Sequence, residues 1–568
     1  MQKLHFDRFL MVILLMAFAL RLPGIFDGLP AVYNSTEYFL SKLALSMGAR
    51  KSLDPYIQNY AIYTPRLFIY PMFYEYVLLI EYGMLFLIGK IFSVFKDQYD
   101  FAVRFLIDPS IFYIVSRLVN LAISVLTIHI LYKKMFRLFD KITARFAAIF
   151  AVLSYYLILT SQQSISDSWL IFFSSLAILY AMQTLHKFEI KSILLAGLFS
   201  GLATGTKYNA GLLVLVLAAL YILNWKNIKQ NYLKTGILII LSFFAGFLIP
   251  NPYWLFSFSR FFEGYQLISS QAVQAVALEQ GFNYWWEFSE IFRHELIIGL
   301  GFFIATVYAI YKRKPVHLVL LPFVLITFFY VGSWQKKGVD YLYALFPAWI
   351  ILLAMWCKVV VEYFNKKKNL QYLFVILLIV PSLLMGIYQS VLRINQDTRE
   401  QATEWIKQNV SKQEKICYDY FHYDLGIFDI NRFIGYGAGA TQLPQTVKER
   451  LQNFRSHSDN FSLVPILEKI SSEKSQAGSL FEEELSQYRR KSIAHLGDEN
   501  VKYIITNEYF YKPYLAVDAK DYPKSVQGQI SEIRKMYKYL LEEMKPIKLF
   551  KPDFWTPGPE IRIYNLSI

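Results

Sequence analysis

About eleven apolar runs, each roughly 16–22 residues long, fill residues 9–392 and then stop. A helix of ~20 such residues crosses a ~30 Å hydrocarbon core, and only helices or closed barrels satisfy their backbone there. No soluble core accommodates so many consecutive runs. The chain is therefore expected to be a polytopic α-helical membrane bundle of about 11 spans over residues 1–392, followed by a soluble α/β domain over 393–568. The predicted spans are 9–27, 111–132, 144–160, 167–184, 192–206, 208–224, 235–250, 296–311, 316–331, 341–362 and 371–392. The first run leads into Arg21-Leu22-Pro23-Gly24 without a small-residue cleavage site, so it is read as a retained span.

Composition agrees. The chain is 55% hydrophobic and 18% aromatic, and Tyr and Trp favour membrane–water interfaces. A formal charge of +15 would suit a nucleic-acid binder, but much of the excess lies in short loops between apolar runs, where it sets topology. Nucleic acid is therefore excluded as a partner and membrane lipid expected. Two cysteines, Cys357 in a span and Cys417 beyond the spans, give neither a disulfide framework nor a metal site.

Loops 133–145, 225–234, 312–314 and 366–368 are dense in Lys and Arg, whereas 161–166 has none and 332–340 only Lys336 and Lys337. The positive-inside rule puts the first set and the N-terminus in the cytoplasm of a plasma (inner) membrane, and the C-terminal domain outside. Residues 70–95 are apolar but break this alternation if counted as a span. They are read as an interfacial helix within a long external segment, 28–110.

Three features of the external face carry ionisable groups: Asn34-Ser35-Thr36-Glu37-Tyr38, Asp167 at a span start, and the turn Gly205-Thr206-Lys207-Tyr208. Charges at span ends are costly unless paired or wet, so Glu37, Asp167 and Lys207 are candidate site residues expected to converge. Plainer explanations stand beside that one: Asp167 as a helix N-cap, Lys207 as a snorkelling side chain, Glu37 on a solvated helix face. Tyr284-Trp285-Trp286 suits an interfacial belt better than a sugar platform.

The order of these features resembles the polyprenyl-phosphate-dependent glycosyltransferases of the GT-C fold, family 39 and relatives such as the protein O-mannosyltransferases and lipid A aminoarabinose transferases. The resemblance runs through Arg21-Leu22-Pro23, Glu37, Tyr70-Pro71, Arg117, the basic turn Lys133–Arg145, Asp167, Gly201–Lys207 and Tyr341–Pro347. It continues through Gln401–Ile406 and Gly558–Tyr564 in the C-terminal domain. It implies an inverting transfer of a sugar from a polyprenyl-phosphate donor to an extracytoplasmic glycan, lipid or protein acceptor. Asp167 and Glu37 would be the catalytic carboxylates and Lys207 the cation on the phosphate. Thr36, Tyr70, Lys336, Lys337 and Tyr341 would line the substrate site. No cofactor is identified by the sequence, and no metal-ligand spacing is present.

Two departures from the family pattern matter. The family's Asp-Glu pair reads Thr36-Glu37, and threonine takes no proton at neutral pH. Asp340 stands where relatives carry Arg, with Lys336 and Lys337 as replacement charges. The departures leave open a non-catalytic glycolipid-binding relative. A lipid-linked-sugar transporter fits less well, since the charges cluster at span ends and no repeat is evident.

Overall fold

The computed structural model describes residues 7–56, 68–274, 284–418, 425–429, 443–457, 459–469, 488–516, 518–521, 524 and 527–566. Among them, seven helices are long and apolar enough to cross a membrane: Arg8–Phe26, Ser110–Leu138, Asp167–His186, Tyr284–Lys312, Pro315–Gly332, Val339–Tyr363 and Lys368–Leu392. The pair Lys141–Leu153 and Tyr155–Ser161 is together long and apolar enough for one more, with a bend of 58° between the two helices. Three shorter apolar helices, Ile190–Thr204, Tyr208–Leu223 and Tyr232–Leu248, account for the remaining runs. The chain is a multi-pass α-helical membrane protein.

The bend has a polar cause. At the end of helix Lys141–Leu153, Ser154 turns to cap the next helix and its hydroxyl donates to Glu295 Oε1 at 2.6 Å. The carbonyls left free at that end are taken by Arg21, whose guanidinium is fully buried. It reaches Ala151 O at 3.0 Å, Val152 O at 3.3 Å and Ser124 Oγ at 3.0 Å. A cation at a helix C-terminus meets the negative end of the macrodipole, so this charge is compensated without a carboxylate. Glu295 also accepts from Tyr156 N at 3.1 Å and sits just before a second break, where Leu296 has φ 49°. The two breaks brace each other.

Helices Ile190–Thr204 and Tyr232–Leu248 meet backbone to backbone. Gly197, Gly201 and Gly205 lie four residues apart on one face. A Cβ on Gly201 would stand 2.0 Å from Phe243 O, and one on Gly246 of the facing helix 2.1 Å from Leu198 O. Small residues at this spacing let membrane helices approach closely. The stripe ends at the turn that carries Lys207.

Helix Phe73–Ile91, which carries Glu75, Glu81 and Lys90, is not among the seven apolar spans. Its exposed stripe, Ile80, Met84, Leu87, Ile88 and Ile91, follows helical spacing, while Tyr74, Glu75, Leu78, Glu81 and Tyr82 face the protein.

Beyond the last span the sequence pattern predicts helices over Thr398–Asn409 and Ser531–Met544 and strands over Ile416–Phe421, Val501–Thr506, Ile547–Phe550 and Ile561–Asn565, and the described residues carry an element at each. Asp397 caps helix Thr398–Asn409, its side chain accepting from Arg399 N at 2.8 Å. The strands are β1 (Lys415–Tyr418), β2 (Ser462–Pro465), β3 (Leu467–Lys469), β4 (Tyr488–Arg490), β5 (Val501–Asn507), β6 (Lys548–Phe550) and β7 (Ile561–Asn565). One sheet has order β2-β1-β5-β7-β6, with β1 parallel to β2 and β5 and the pairs β5/β7 and β6/β7 antiparallel; β3 and β4 pair separately. The amphipathic helix expected over 531–544 starts earlier, at Gln527, and ends at Lys538 before a π turn. The predicted strand end at Phe421 lies outside the described residues.

This region is fastened to the segment between the spans Arg8–Phe26 and Ser110–Leu138. Arg450 grips Asp97 with two hydrogen bonds, at 2.7 and 2.6 Å, and holds its carboxyl down at about 2. Val447 and Leu451 pack on Val103 beside that pair. Arg393 pairs with Asp27, and the Arg399 guanidinium lies 3.4 Å over the Tyr33 ring.

Candidate active site

Lys207 is the centre of an ion cluster. Its ammonium donates to Asp167 Oδ1 at 3.1 Å, Asp340 Oδ2 at 2.9 Å and Asp340 O at 3.3 Å. Burial alone would weaken its protonation, but the Asp167 and Asp340 charges overcome that and hold Lys207 above its ordinary value. The cluster joins three elements: the start of span Asp167–His186, the Gly205-Thr206-Lys207 turn, and the 3₁₀ turn Val339–Leu345. Tyr341 and Tyr343 from that last turn lie with ring centroids 5.7 and 5.8 Å from the Lys207 ammonium. Tyr70 also faces the cluster. Burial raises its phenol, and the charges of Lys207, Asp340 and Asp167 all bear on it.

The plainer explanations of two residues fail here. Asp167 is the first residue of its helix and makes no capping bond; its side chain goes to Lys207. Lys207 turns into the protein and its side chain is only 18% exposed.

Asn251 was missed by sequence reasoning and holds two walls of the site together. It is fully buried, its Oδ1 accepts from Met72 N at 2.8 Å, and its Nδ2 donates to Gly205 O at 3.3 Å and Phe247 O at 2.8 Å. Thus the start of helix Phe73–Ile91, just past Tyr70, is tied to the Lys207 turn. The only signal in the sequence is an Asn-Pro pair closing a span. Asn209 was missed as well; its amide donates to Tyr341 O.

Glu37, for which a solvated helix face is the plainer expectation, does not lie on one. It is 1% exposed and closed in a two-pronged pair with Arg117, Nε to Oε1 at 3.0 Å and Nη2 to Oε2 at 2.8 Å. Its Oε1 also accepts from Ser164 N, three residues before Asp167. Arg117 further donates to Ile25 O at 2.9 Å and Asp27 O at 2.8 Å. Asn120 holds the same loop through Gln163 O at 2.6 Å and Ile165 O at 2.9 Å. Glu37 forms no ion pair with Lys207. Its visible work is to fix the loop that presents Asp167.

The remaining expected residues divide. Thr36 lies in the first turn of helix Ser35–Arg50, its N–H donating to Asn34 Oδ1 at 3.0 Å. Lys337 is buried and committed to Glu287 Oε1 at 3.0 Å and Gly332 O at 2.9 Å. Lys336 is half-buried and has no ion pair among the described residues. Neither lysine joins the Asp167–Lys207–Asp340 cluster. Trp285 is 69% exposed.

On the side toward the C-terminal domain, the Tyr343 ring lies 5.8 Å from Tyr156, whose hydroxyl is 3.2 Å from His294 Nδ1. His294 stacks on Tyr155 at 4.7 Å. Among the described residues no group of three or more His, Cys, Asp or Glu is placed to hold a metal ion.

Glu75, on the buried face of helix Phe73–Ile91, accepts from Tyr56 OH at 3.4 Å through Oε1, while its buried Oε2 has no partner among the described residues. Burial pushes this carboxyl up to about 8. The folded protein therefore keeps a proton that the unfolded chain releases near 4.5, and stability falls as pH rises from that value to about 8. Glu75→Gln is expected to melt a few degrees above wild type at pH 9 and close to it at pH 5. Thermal unfolding in detergent at the two pH values checks this.

Residues 112–250, about a quarter of the chain, match the sequence profile of the dolichyl-phosphate-mannose-protein mannosyltransferases. That stretch contains Arg117, Asp167 and Lys207 but not Glu37 or Asp340. No curated protein sequence matches the chain. Among solved structures, the Archaeoglobus fulgidus oligosaccharyltransferase superposes with a TM-score of 0.51 at 11% identity, covering 91% of this chain and 72% of that one. ArnT from Cupriavidus metallidurans, crystallised with undecaprenyl phosphate, gives 0.47 at 11% identity, with 98% and 97% covered. The chain has the GT-C fold. Over its central spans the chain is similar to the mannosyltransferase profile.

Proposed function

We propose that the protein transfers a sugar from a polyprenyl-phosphate donor to an extracytoplasmic acceptor hydroxyl, with inversion, at the Asp167–Lys207 cluster. The observation that carries this is the ion pair itself, a buried carboxylate and an ammonium at a span end inside the stretch that matches the mannosyltransferase profile. In the step, Asp167 accepts the acceptor's O–H proton while that oxygen bonds to the anomeric carbon. The bond from that carbon to the phosphate oxygen breaks, and the phosphate leaves with the electron pair, held by Lys207. Tyr70, Tyr341 and Tyr343 are the neighbouring groups able to face sugar or phosphate. The positive-inside pattern places this cluster and the C-terminal domain on the outer face of the plasma membrane, with the N-terminus cytoplasmic. Residues 1–392 would form the transferase unit and 393–568 a domain shaping access for the acceptor.

A second reading, a glycolipid-binding relative without catalysis, is favoured by one observation: Glu37 is wholly engaged by Arg117 and Ser164. Purified protein in nanodiscs, given a panel of radiolabelled polyprenyl-phosphate sugars, decides between them. Release of free polyprenyl phosphate by wild type and its loss in Lys207→Met supports the transferase. Donor binding without turnover across the panel, with acceptor extracts present, supports the second reading.

A further inference from the structure

An ammonium has three N–H donors, and Lys207 spends all three: one on Asp167 and two on Asp340, its carboxylate and its carbonyl. Two carboxylates against one ammonium leave the cluster with a net negative charge. A lipid phosphate is itself an anion. It therefore takes a place on Lys207 only if one of the present acceptors gives way.

The two acids differ in their ability to do so. The Asp167 side chain is 5% exposed and lies at the rigid start of a span. The Asp340 side chain is 42% exposed and lies on a 3₁₀ turn behind Gly338. Turning Asp340 outward moves its charge into solvent at little desolvation cost, whereas turning Asp167 requires the helix start to move. We infer that Asp340 is a stand-in for the donor phosphate: its carboxylate occupies the phosphate's place on Lys207 and is displaced when the donor binds. Asp340 thereby sets donor affinity, and it selects for headgroups anionic enough to compete with a carboxylate.

This rests on the reading of Lys207 as the phosphate-binding cation, and the test separates the two. Undecaprenyl phosphate binding is measured on the full chain in phosphatidylcholine nanodiscs, for wild type, Asp340→Asn, Asp340→Ser and Lys207→Met. Uncharged undecaprenol serves as the control lipid, and thermal unfolding reports folding. Removing the competing charge is expected to tighten phosphate binding on the order of ten-fold in both Asp340 variants. Undecaprenol binding should not change, and Lys207→Met should lose the phosphate-specific part. Equal or weaker phosphate binding in the Asp340 variants, with Lys207→Met still impaired, overturns the stand-in and leaves the phosphate site. Equal tightening toward undecaprenol overturns the charge argument. Wild-type phosphate binding in Lys207→Met overturns the phosphate site itself. Two different substitutions keep the result decisive if one of them fails to fold.

Discussion

Arg117→Met is expected to destabilise the folded protein by about 3–5 kcal/mol, because it strands a buried carboxylate. Glu37 would keep only the Ser164 amide, and the carbonyls of Ile25 and Asp27 would lose their donor. The cost is electrostatic rather than volumetric, so a second change should recover part of it. Glu37→Met/Arg117→Met is expected to be more stable than Arg117→Met alone. Thermal unfolding and monodispersity in detergent report both effects, and a double variant as unstable as the sum of the singles would show that shape, not charge, holds this corner. A functional cost should accompany the structural one. The loop that Glu37 fixes through Ser164 leads into Asp167, so turnover in Arg117→Met should fall even at temperatures where the protein stays folded.

Asp167→Asn is expected to lower turnover by about 10²–10⁴-fold, the usual contribution of a positioned general base, while leaving donor binding intact or tighter. Asparagine keeps the size of the side chain and an oxygen for Lys207, so the fold should persist. Its amide takes no proton from an acceptor hydroxyl. Glu37→Gln is the counterpart: loss of stability, with a fall in turnover below the melting point far smaller than in Asp167→Asn. If instead Glu37→Gln abolished turnover and Asp167→Asn did not, the assignment of the base would be reversed. Single-turnover measurement of sugar transfer at saturating donor separates chemistry from affinity.

The apolar runs and the caps were legible because their causes are local. Length and hydropathy mark the spans, Asp397 caps the helix that follows them, and β-branched residues mark β5 and β7. The break between Leu153 and Tyr155 was not legible. It involves neither Gly nor Pro, and its supports, Arg21 and Glu295, come from distant spans. The site divides along the same line. Asp167 and Lys207 stand out in the sequence as charges at span ends, but the burial of Glu37 does not, because its partner lies 80 residues away. Asp340 was noticed only as an acid in a place for a base. Its role as a partner of Lys207 needed the fold, as did the commitment of Lys337 to Glu287.

The stripe of Gly197, Gly201 and Gly205 has a consequence for how such a sequence can drift. Where two helices touch through side chains, a substitution on one is absorbed by a new rotamer on the other, and the axes settle elsewhere. Here, at Gly201 and at Gly246 of the facing helix, main chain rests on main chain, and the separation has no adjustable spacer. The turn bearing Lys207 is thus held at a fixed depth by atoms common to every residue. Lipid-facing side chains of both helices can be exchanged freely for other apolar ones without moving the ammonium. The stripe acts as a gauge block: the chemistry keeps its register while the sequence around it wanders.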